Sequence, residues 1–244
     1  MNKWLKRALL VIPVLLVVVY APIFIYTQWI NDPDPEFDTQ DALELAAVTV
    51  VATEPTVEAS TGRSDSAAAS DVSGQWAVVD GSEFGYRVEE ILGGVNATST
   101  GRGTDIAGSM TIDGSTVTAA EFTVQVASIE SDNGMRDQQF RGRVMDTTDY
   151  PEATFTLSEP IALPEIPPVS GTVQVSAVGE LTMHGVTQPV TLDIEAVRGP
   201  QRLAVVGSAP IVFADYDIEN PSNLNVTTED EGILEFNLAF ERAS

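Results

Sequence analysis

The stretch GTVQVSAVGELTMHGVTQPVTLDIEAV, residues 171–197, alternates apolar and polar side chains on both sides of one short turn. Such alternation places the apolar side chains on one face of an extended chain, as in a half-buried β-strand. The apolar positions are Val173, Val175, Ala177, Leu181, Met183, Val190, Leu192, Ile194 and Ala196. The stretch therefore predicts two neighbouring strands joined at His184 and Gly185, with a core along one face.

The same period of two recurs through residues 74–244. The Asp-Gly pair in TIDGSTV, 111–117, is a hairpin signal, whereas LAVVGSAPIVF, 203–213, is more continuously apolar. Eight or nine strands separated by Gly, Asp and Asn turns predict an all-β antiparallel barrel or sandwich. The alternating apolar positions include Phe84, Tyr86, Val88, Ile106, Met110, Ile112, Phe122, Val124, Val126, Ala153, Phe155, Leu157, Leu234, Phe236, Leu238 and Phe240.

The segment NGMRDQQFRGRVMDTTDYPEATF, residues 133–155, interrupts the strands with helical spacing and many charges. An eight-stranded barrel has an interior just wide enough for side chains or one slim ligand, and a short helix can close its mouth. Phe140 lies on the helix face opposite most of the charge. We therefore expect residues 134–146 to cap or gate a barrel, with Phe140 over the opening.

The N-terminal part carries a membrane-targeting pattern. Residues 8–30 are 23 apolar residues without a charge, preceded by a basic tail, residues 1–7, and followed by acidic residues. At about 1.5 Å per residue, a helix of this length covers the ~30 Å apolar core of a bilayer. The basic side stays in the cytoplasm, so we predict a single-pass signal anchor with the rest of the chain outside the cell membrane. The alternative is a cleaved signal peptide and a secreted protein.

The chain has a formal net charge of −24, and all 36 acidic residues follow position 30. Residues 31–73 are rich in acidic residues, Ser, Thr, Ala and Pro, which predicts a disordered linker before a folded domain at 74–244. Such an acidic outer part repels nucleic acid, so we predict no nucleic-acid partner.

Nothing in the sequence indicates catalysis. The chain has no cysteine, and its clustered carboxylates lack the spacing of a calcium loop. His184 is the only histidine and lies in a predicted turn, and no G-x-S-x-G motif occurs. We therefore predict a protein that is not an enzyme, without catalytic residues, metal site or cofactor.

The charged residues of the insert are candidates for contact with the polar headgroup of a ligand in the barrel. Arg136 and Asp137 either contact it or pair with each other and with neighbours to fix the helix. Arg141 and Arg143 are the better headgroup candidates, because guanidinium groups match phosphate or carboxylate. Solvated charge on an acidic protein is the alternative for these two.

Four segments, 76–88, 124–155, 175–194 and 211–222, carry S-I-x-S, R-D, Y-P-x-x-T-F and G-x-L-T-x-H-G-V-T-x-P-V elements in a specific order and spacing. Together they resemble the YceI-like family, exported bacterial proteins that bind lipids and polyisoprenoids. The resemblance covers nearly all of the domain. It departs from the family at Gly81-Ser82, where members often have His-Ser, and at Gln139, where they often have His.

The resemblance implies an extended, eight-stranded lipocalin-like barrel that binds a polyisoprenoid, quinone or other lipid, for sequestration or transfer at the outer face of the membrane. The alternative is a structural or interaction protein whose barrel is filled by its own side chains and presents loops to an extracellular partner. The free interior volume distinguishes the two, and the oligomeric state, a dimer included, stays open. The residues assigned to ligand binding are Phe84, Tyr86, Phe122, Val124, Phe140, Arg141, Arg143, Phe155, Leu157, Phe213, Tyr216, Phe236 and Phe240.

Overall fold

The computed structural model describes residues 21, 33–47, 72–223 and 226–243. These residues form an all-β domain with short helices. The strands are β1 (Gly74–Val78), β2 (Glu83–Leu92), β3 (Val95–Gly103), β4 (Ile106–Asp113), β5 (Thr116–Gln125), β6 (Glu152–Leu157), β7 (Ile161–Ala162), β8 (Thr172–Met183), β9 (Val186–Arg198), β10 (Leu203–Val212), β11 (Val226–Thr228) and β12 (Glu231–Arg242). The helices are α1 (Thr39–Ala47) and α2 (Gly134–Gln139), with a π-helical turn (Phe140–Val144) and 3-10 turns at Val126–Ser128 and Phe213–Tyr216.

The strands close into an eight-stranded antiparallel barrel, as predicted. Its order is β1–β4–β5–β6–β8–β9–β10–β12, with β12 pairing back to β1. Strand β12 pairs with β1 near its C-terminal end and with β2 nearer its N-terminal end. Strand β2 in turn pairs with β3 and β11. The β2–β3 hairpin thus extends one end of the barrel, which we call the hairpin end. The turns β4–β5 and β9–β10 lie at the opposite, far end.

The quoted stretch forms the longest hairpin of the barrel. Strands β8 and β9 pair from Thr172↔Val197 to Met183↔Val186, and His184 and Gly185 form the turn with φ of 51° and 78°. A positive φ brings the Cβ of most residues into steric conflict with the backbone. Gly185 has no Cβ, which explains why glycine occupies this turn position. The Asp-Gly hairpin prediction is also confirmed, since Gly114, with φ of 59°, follows β4 directly.

Strand parity is confirmed by burial. In β8 buried odd-numbered residues alternate with exposed even-numbered ones, and Ala177 and Leu181 are 1% and 5% exposed. In β12 the even-numbered Phe236, Leu238 and Phe240, which are 8%, 3% and 0% exposed, line the cavity. These residues join one core cluster with Phe84 and Phe155 inside the barrel. Alternation of side chains about the pleat explains why one face of each strand supplies the core.

Residues 33–47 differ from the predicted disordered linker. Helix α1 lies on the outer wall of the barrel, where Ala42 and Ala46 form a second buried cluster with Ala204 and Val206. The linker composition concealed this, because the buried face of a short helix needs only two alanines spaced four apart. Residues 48–71, the rest of the predicted linker up to Val72, lie outside the described residues.

The predicted membrane segment, residues 8–30, lies outside the described residues except for residue 21. Among the residues that the structure describes, no helix combines the length and the apolar character needed to cross a bilayer.

Candidate functional site

The barrel encloses an apolar cavity of ≈ 840 Å³. This volume lies within the usual range of small-molecule binding sites, which are mostly apolar with few polar groups. The interior is therefore not filled by its own side chains. The cavity reaches the surface at the hairpin end, where Met135, 72% exposed, and Leu92 and Gly93 of the hairpin tip are part of its wall.

Ten of the thirteen residues assigned from the sequence lie on the cavity wall. They come from four strands, the π-helical turn and the 3-10 turn after β10, and strand parity brings the eight strand residues together. They are Phe84, Tyr86, Phe122, Val124, Phe140, Phe155, Leu157, Phe213, Phe236 and Phe240. The other three, Tyr216, Arg141 and Arg143, are not part of the wall.

The helical insert lies over the hairpin end. The Tyr86 and Phe140 rings stack with their centroids 5.0 Å apart, so the insert contacts β2 across the opening. Phe140 begins a π-helical turn in which the Met145 N–H donates to the Phe140 carbonyl at 2.8 Å. Such turns occur often at functional sites. The prediction that Phe140 faces the bore is confirmed.

Tyr86 is the buried phenol of this end. Burial raises the pKa of Tyr86 to about 12, so the hydroxyl remains protonated and able to donate a hydrogen bond. The charges that act on it are Arg136, which lowers its pKa, and Asp137, Glu90 and Asp132, which raise it. The groups that act on the phenol are thus one cation and three carboxylates, an excess of negative charge beside Tyr86.

The acidic residues of the insert are fixed by local contacts. Buried Asp137 accepts hydrogen bonds from the Ser131 N–H at 2.9 Å and from its hydroxyl at 2.6 Å. Asn133 caps α2 by accepting from the Met135 N–H at 3.0 Å. Arg136 forms an ion pair with Asp132 rather than with Asp137, and it lines the cavity mouth. The second of the two roles weighed for this pair, fixing the helix, is thus the one observed for Asp137.

Arg141 and Arg143 hold the backbone around the insert. Arg141 donates to the Ile129 carbonyl at 3.3 Å, and Arg143 donates to the Pro221 carbonyl at 2.7 Å. The sequence pattern could not separate this role from headgroup binding, because it does not show which loops lie beside the insert.

His184 is part of a small packed cluster at the hairpin end. Its Nδ1 lies 3.0 Å from the Tyr216 carbonyl oxygen, and its ring lies 4.7 Å from that of Tyr150. The prediction of a turn residue is confirmed. In the described part of the chain, no group of three or more His, Asp or Glu residues is arranged to hold a metal ion.

Several cavity residues were missed from the sequence. Arg198 lines the far end and donates to the Pro167 carbonyl at 3.3 Å. Glu90 and Met135 line the mouth. Period-two parity would have placed Glu90 inward after Tyr86 and Val88, but its charge argued for the outer face.

An eight-stranded antiparallel barrel with an apolar bore and a short helix over one end defines the class of lipocalin-like barrels. The sequence profile of the YceI-like domain matches residues 65–240. The chain therefore belongs to the YceI-like family.

Sequence relatives are found in Vibrio and Shewanella species. A UPF0312 protein of Vibrio parahaemolyticus is 30% identical over 127 residues, which are 48% of this chain and 64% of that protein. The chain thus spans somewhat less than two thirds of the length of that relative. A UPF0312 protein of Shewanella sp. strain MR-4 is 28% identical over 138 residues, 52% of this chain and 69% of that protein.

A solved structure shares the fold. The polyisoprenoid binding domain from Saccharophagus degradans, implicated in plant cell wall breakdown, superposes with a TM-score of 0.56 at 18% identity. The superposition covers 70% of this chain and 99% of that domain. At this identity the likeness concerns the fold alone.

Proposed function

We propose that the domain binds one long apolar chain, such as that of a polyisoprenoid lipid, inside the barrel and performs no chemistry on it. The open apolar cavity of ≈ 840 Å³ carries this proposal. Each CH₂ group removed from water contributes ~0.8 kcal/mol, so a long tail offsets the entropy lost on association. An interaction protein that presents only its loops to a partner does not require an open cavity inside the barrel.

We infer further that the ligand carries an uncharged polar end. At the hairpin end, the Tyr86 phenol is protonated and surrounded by an excess of carboxylates. A phosphate there would meet like charge, whereas a carbonyl or hydroxyl group could accept from Tyr86. Among the described residues of the wall, the cation other than Arg136 is Arg198 at the far end, so a ligand with a phosphate would bind in the opposite orientation, with the phosphate at that end.

The membrane location is proposed on sequence grounds. Residues 8–30 are long and apolar enough for a span, and the basic residues before them favour a cytoplasmic amino terminus. We infer that the anchored barrel sequesters or transfers its ligand at the outer face of the cell membrane. Intact mass of the membrane-extracted chain tests this, because a mature form that begins after residue 25 would show a cleaved signal peptide instead.

The binding proposal is tested by titrating the full chain with two probes of equal tail length, a neutral long-chain quinone and a polyprenyl phosphate. We expect the quinone to bind more tightly, and Phe140→Asp to weaken its binding because a carboxylate at the opening must lose water. Arg198→Gln is the matched control and should leave quinone binding unchanged. Tighter phosphate binding that Arg198→Gln abolishes would reverse the orientation, and no binding of either probe would overturn the proposal.

A further inference from the structure

The segment 33–47, which we call the strap, is docked along the outer wall of the barrel. Near its start, the Asp34 N–H donates to the Thr100 hydroxyl at 2.9 Å, and Arg87 donates to the Asp34 carbonyl at 2.6 Å. The Arg102 guanidinium then lies 4.1 Å from the centre of the Phe37 ring and donates to the Pro35 carbonyl at 3.0 Å. These contacts fix the start of the strap on β2 and β3.

The strap then runs toward the far end. The Thr39 hydroxyl donates to Glu195 at 2.7 Å, and Ala46, 1% exposed, lies against Gly199 in the β9–β10 turn. A Cβ on Gly199 would lie 2.0 Å from the Ala46 carbonyl oxygen, so the two backbones are in direct contact. The strap is therefore oriented, with its start on the hairpin half of the barrel and its end at the far end.

Docking of the strap shortens the connection between the barrel and the apolar segment 8–30. Four residue steps separate Ile30 from Asp34, which reach at most about 14 Å. From Arg87, beside Asp34, five residues of β2 lead to Leu92 at the hairpin tip, about 17 Å away. In the other direction, β12 continues for nine residues from Ile233, the partner of Arg87, to Arg242, about 30 Å.

These lengths favour one orientation of an anchored barrel. With the far end toward the bilayer, the membrane surface would lie about 30 Å from the start of the strap, more than twice the ~14 Å reach. The ~17 Å to the hairpin tip exceeds that reach by only about 3 Å, which a tilt of the barrel removes. With the strap side toward the bilayer, Asp34, Glu36, Asp38, Asp41 and Glu44 would face the headgroups. Carboxylates are repelled by the anionic lipids of a bilayer surface.

The tip of the β2–β3 hairpin suits contact with lipid. Residues 91–101, ILGGVNATSTG, contain no charge in a chain whose outer part is strongly acidic. Ile91 and Met135 at this end are 40% and 72% exposed. The same end carries the opening of the cavity.

We propose that the docked strap holds the barrel with its cavity mouth against the outer surface of the bilayer, so that a lipid tail passes directly between membrane and cavity. This rests on the proposed anchor and ligand, but it assigns a new contact surface, the uncharged β2–β3 tip. The partner is the lipid bilayer itself, recognised through the uncharged hairpin tip and the exposed apolar side chains of Ile91 and Met135.

The absence of cysteine permits a direct test by single-cysteine labelling of the full chain. Asn96→Cys places a fluorophore at the hairpin tip, and Val169→Cys places one at the far end, where Val169 is 49% exposed. The chain is reconstituted in phosphatidylcholine vesicles that contain doxyl-labelled phosphatidylcholine. We expect severalfold stronger quenching at residue 96 than at residue 169.

Undocking the strap should remove this difference. Ala46→Asp buries a carboxylate in the contact with Gly199, whereas Ala47→Asp adds the same charge at the exposed neighbouring position. We expect Ala46→Asp to equalise quenching at the two labels and to slow transfer of the quinone from vesicles to the barrel. Ala47→Asp should behave as the parent chain.

The outcomes separate this proposal from the ones it rests on. Vesicle flotation and intact mass show whether the chain is anchored, and quinone titration in detergent shows whether the cavity binds. If an anchored, binding-competent chain shows equal quenching at both labels, the orientation is wrong. Stronger quenching at residue 96 that persists in Ala46→Asp would show that the strap does not set it.

Discussion

Phe155 shows at the scale of one residue why inward-facing small residues do not by themselves make a cavity. A Cβ on Gly179 would lie 2.4 Å from the Phe155 ring, so this ring occupies the volume that the glycine leaves on the neighbouring strand. Phe155 also stacks on Phe122 with centroids 6.4 Å apart, while another part of it faces the cavity. It is both a packing residue and a wall residue.

Phe155→Ala should therefore destabilise the domain and alter binding together. We expect a loss of about 3 kcal/mol in the free energy of unfolding, the lower end for a buried Phe, because part of the ring already borders open space. Urea unfolding and quinone titration measure the two effects. Thr156→Ala on the exposed face of the same strand is the control, and an equal effect there would contradict the assignment of faces.

Tyr86 gives a pH dependence with a defined sign. Its pKa is raised by burial to about 12, against ~10 in an unfolded chain. Above pH 10 the unfolded state loses this proton while the folded state keeps it, so the free energy of unfolding falls as pH rises, by ~1.4 kcal/mol per pH unit, until the folded pKa is reached. Unfolding curves between pH 9 and 12 should show this slope for the parent chain. In Tyr86→Phe it should be smaller, and identical slopes would contradict burial of the phenol.

At the scale of elements, β10 explains a pattern that the sequence left ambiguous. Its run LAVVGSAPIVF departs from alternation because α1 covers the outward residues Ala204 and Val206, which are 0% and 6% exposed. A strand buried on both faces reads as continuously apolar. The run is therefore explained by an element on the outer wall, which the sequence analysis did not predict, and this element is the preceding segment of the same chain.

Strand β12 carries a charge that the strap buries. Glu235, 3% exposed, lies 2.5 Å from an Arg102 nitrogen and 3.5 Å from an Arg87 nitrogen, and both arginines also hold the strap. Without the carboxylate, two guanidinium groups would face each other with little water. The carboxylate thus links the barrel wall to the strap.

Glu235→Gln should cost about 3–5 kcal/mol, as expected when one partner of a buried ion pair is removed. Glu241→Gln is the matched control on the same strand face, since Glu241 pairs with Arg202 at 2.6 Å but its side chain is 33% exposed. A pair of that kind contributes about 1 kcal/mol or less. Urea unfolding of both variants gives the comparison, and similar losses would show that the Glu235 pair is effectively solvated.

At the scale of the whole molecule, the sequence predicted the barrel, and period-two alternation placed eight of the ten wall residues on inward faces because it reports directly which face of a strand is buried. Their part in ligand binding stays a prediction. The sequence did not predict the docked strap or the roles of Arg141 and Arg143. Those depend on contacts between segments far apart in the chain, such as Arg143 with Pro221. Local composition carries no signal for such contacts.

The last prediction concerns the bore as a whole. Ala177 lies midway along β8, is 1% exposed and borders the cavity. In an eight-stranded barrel the interior admits one slim ligand, so a phenyl ring from Ala177→Phe should lie across the path of a long tail. Because the ring enters space that is already open, the cost in stability should stay near or below the ~1–3 kcal/mol of overpacking a filled core.

Val178→Phe provides the control, since Val178 is the next residue of β8 and faces outward at 36% exposed. We expect Ala177→Phe to abolish binding of a long-chain quinone while a short-chain analogue still binds from the hairpin end. Val178→Phe should bind both as the parent chain does. Fluorescence titration with the two probes, with circular dichroism as the folding control, makes the measurement. Unchanged binding of the long tail in folded Ala177→Phe would mean that the ligand does not occupy the middle of the barrel, and the tail would then have to lie in the hairpin end alone.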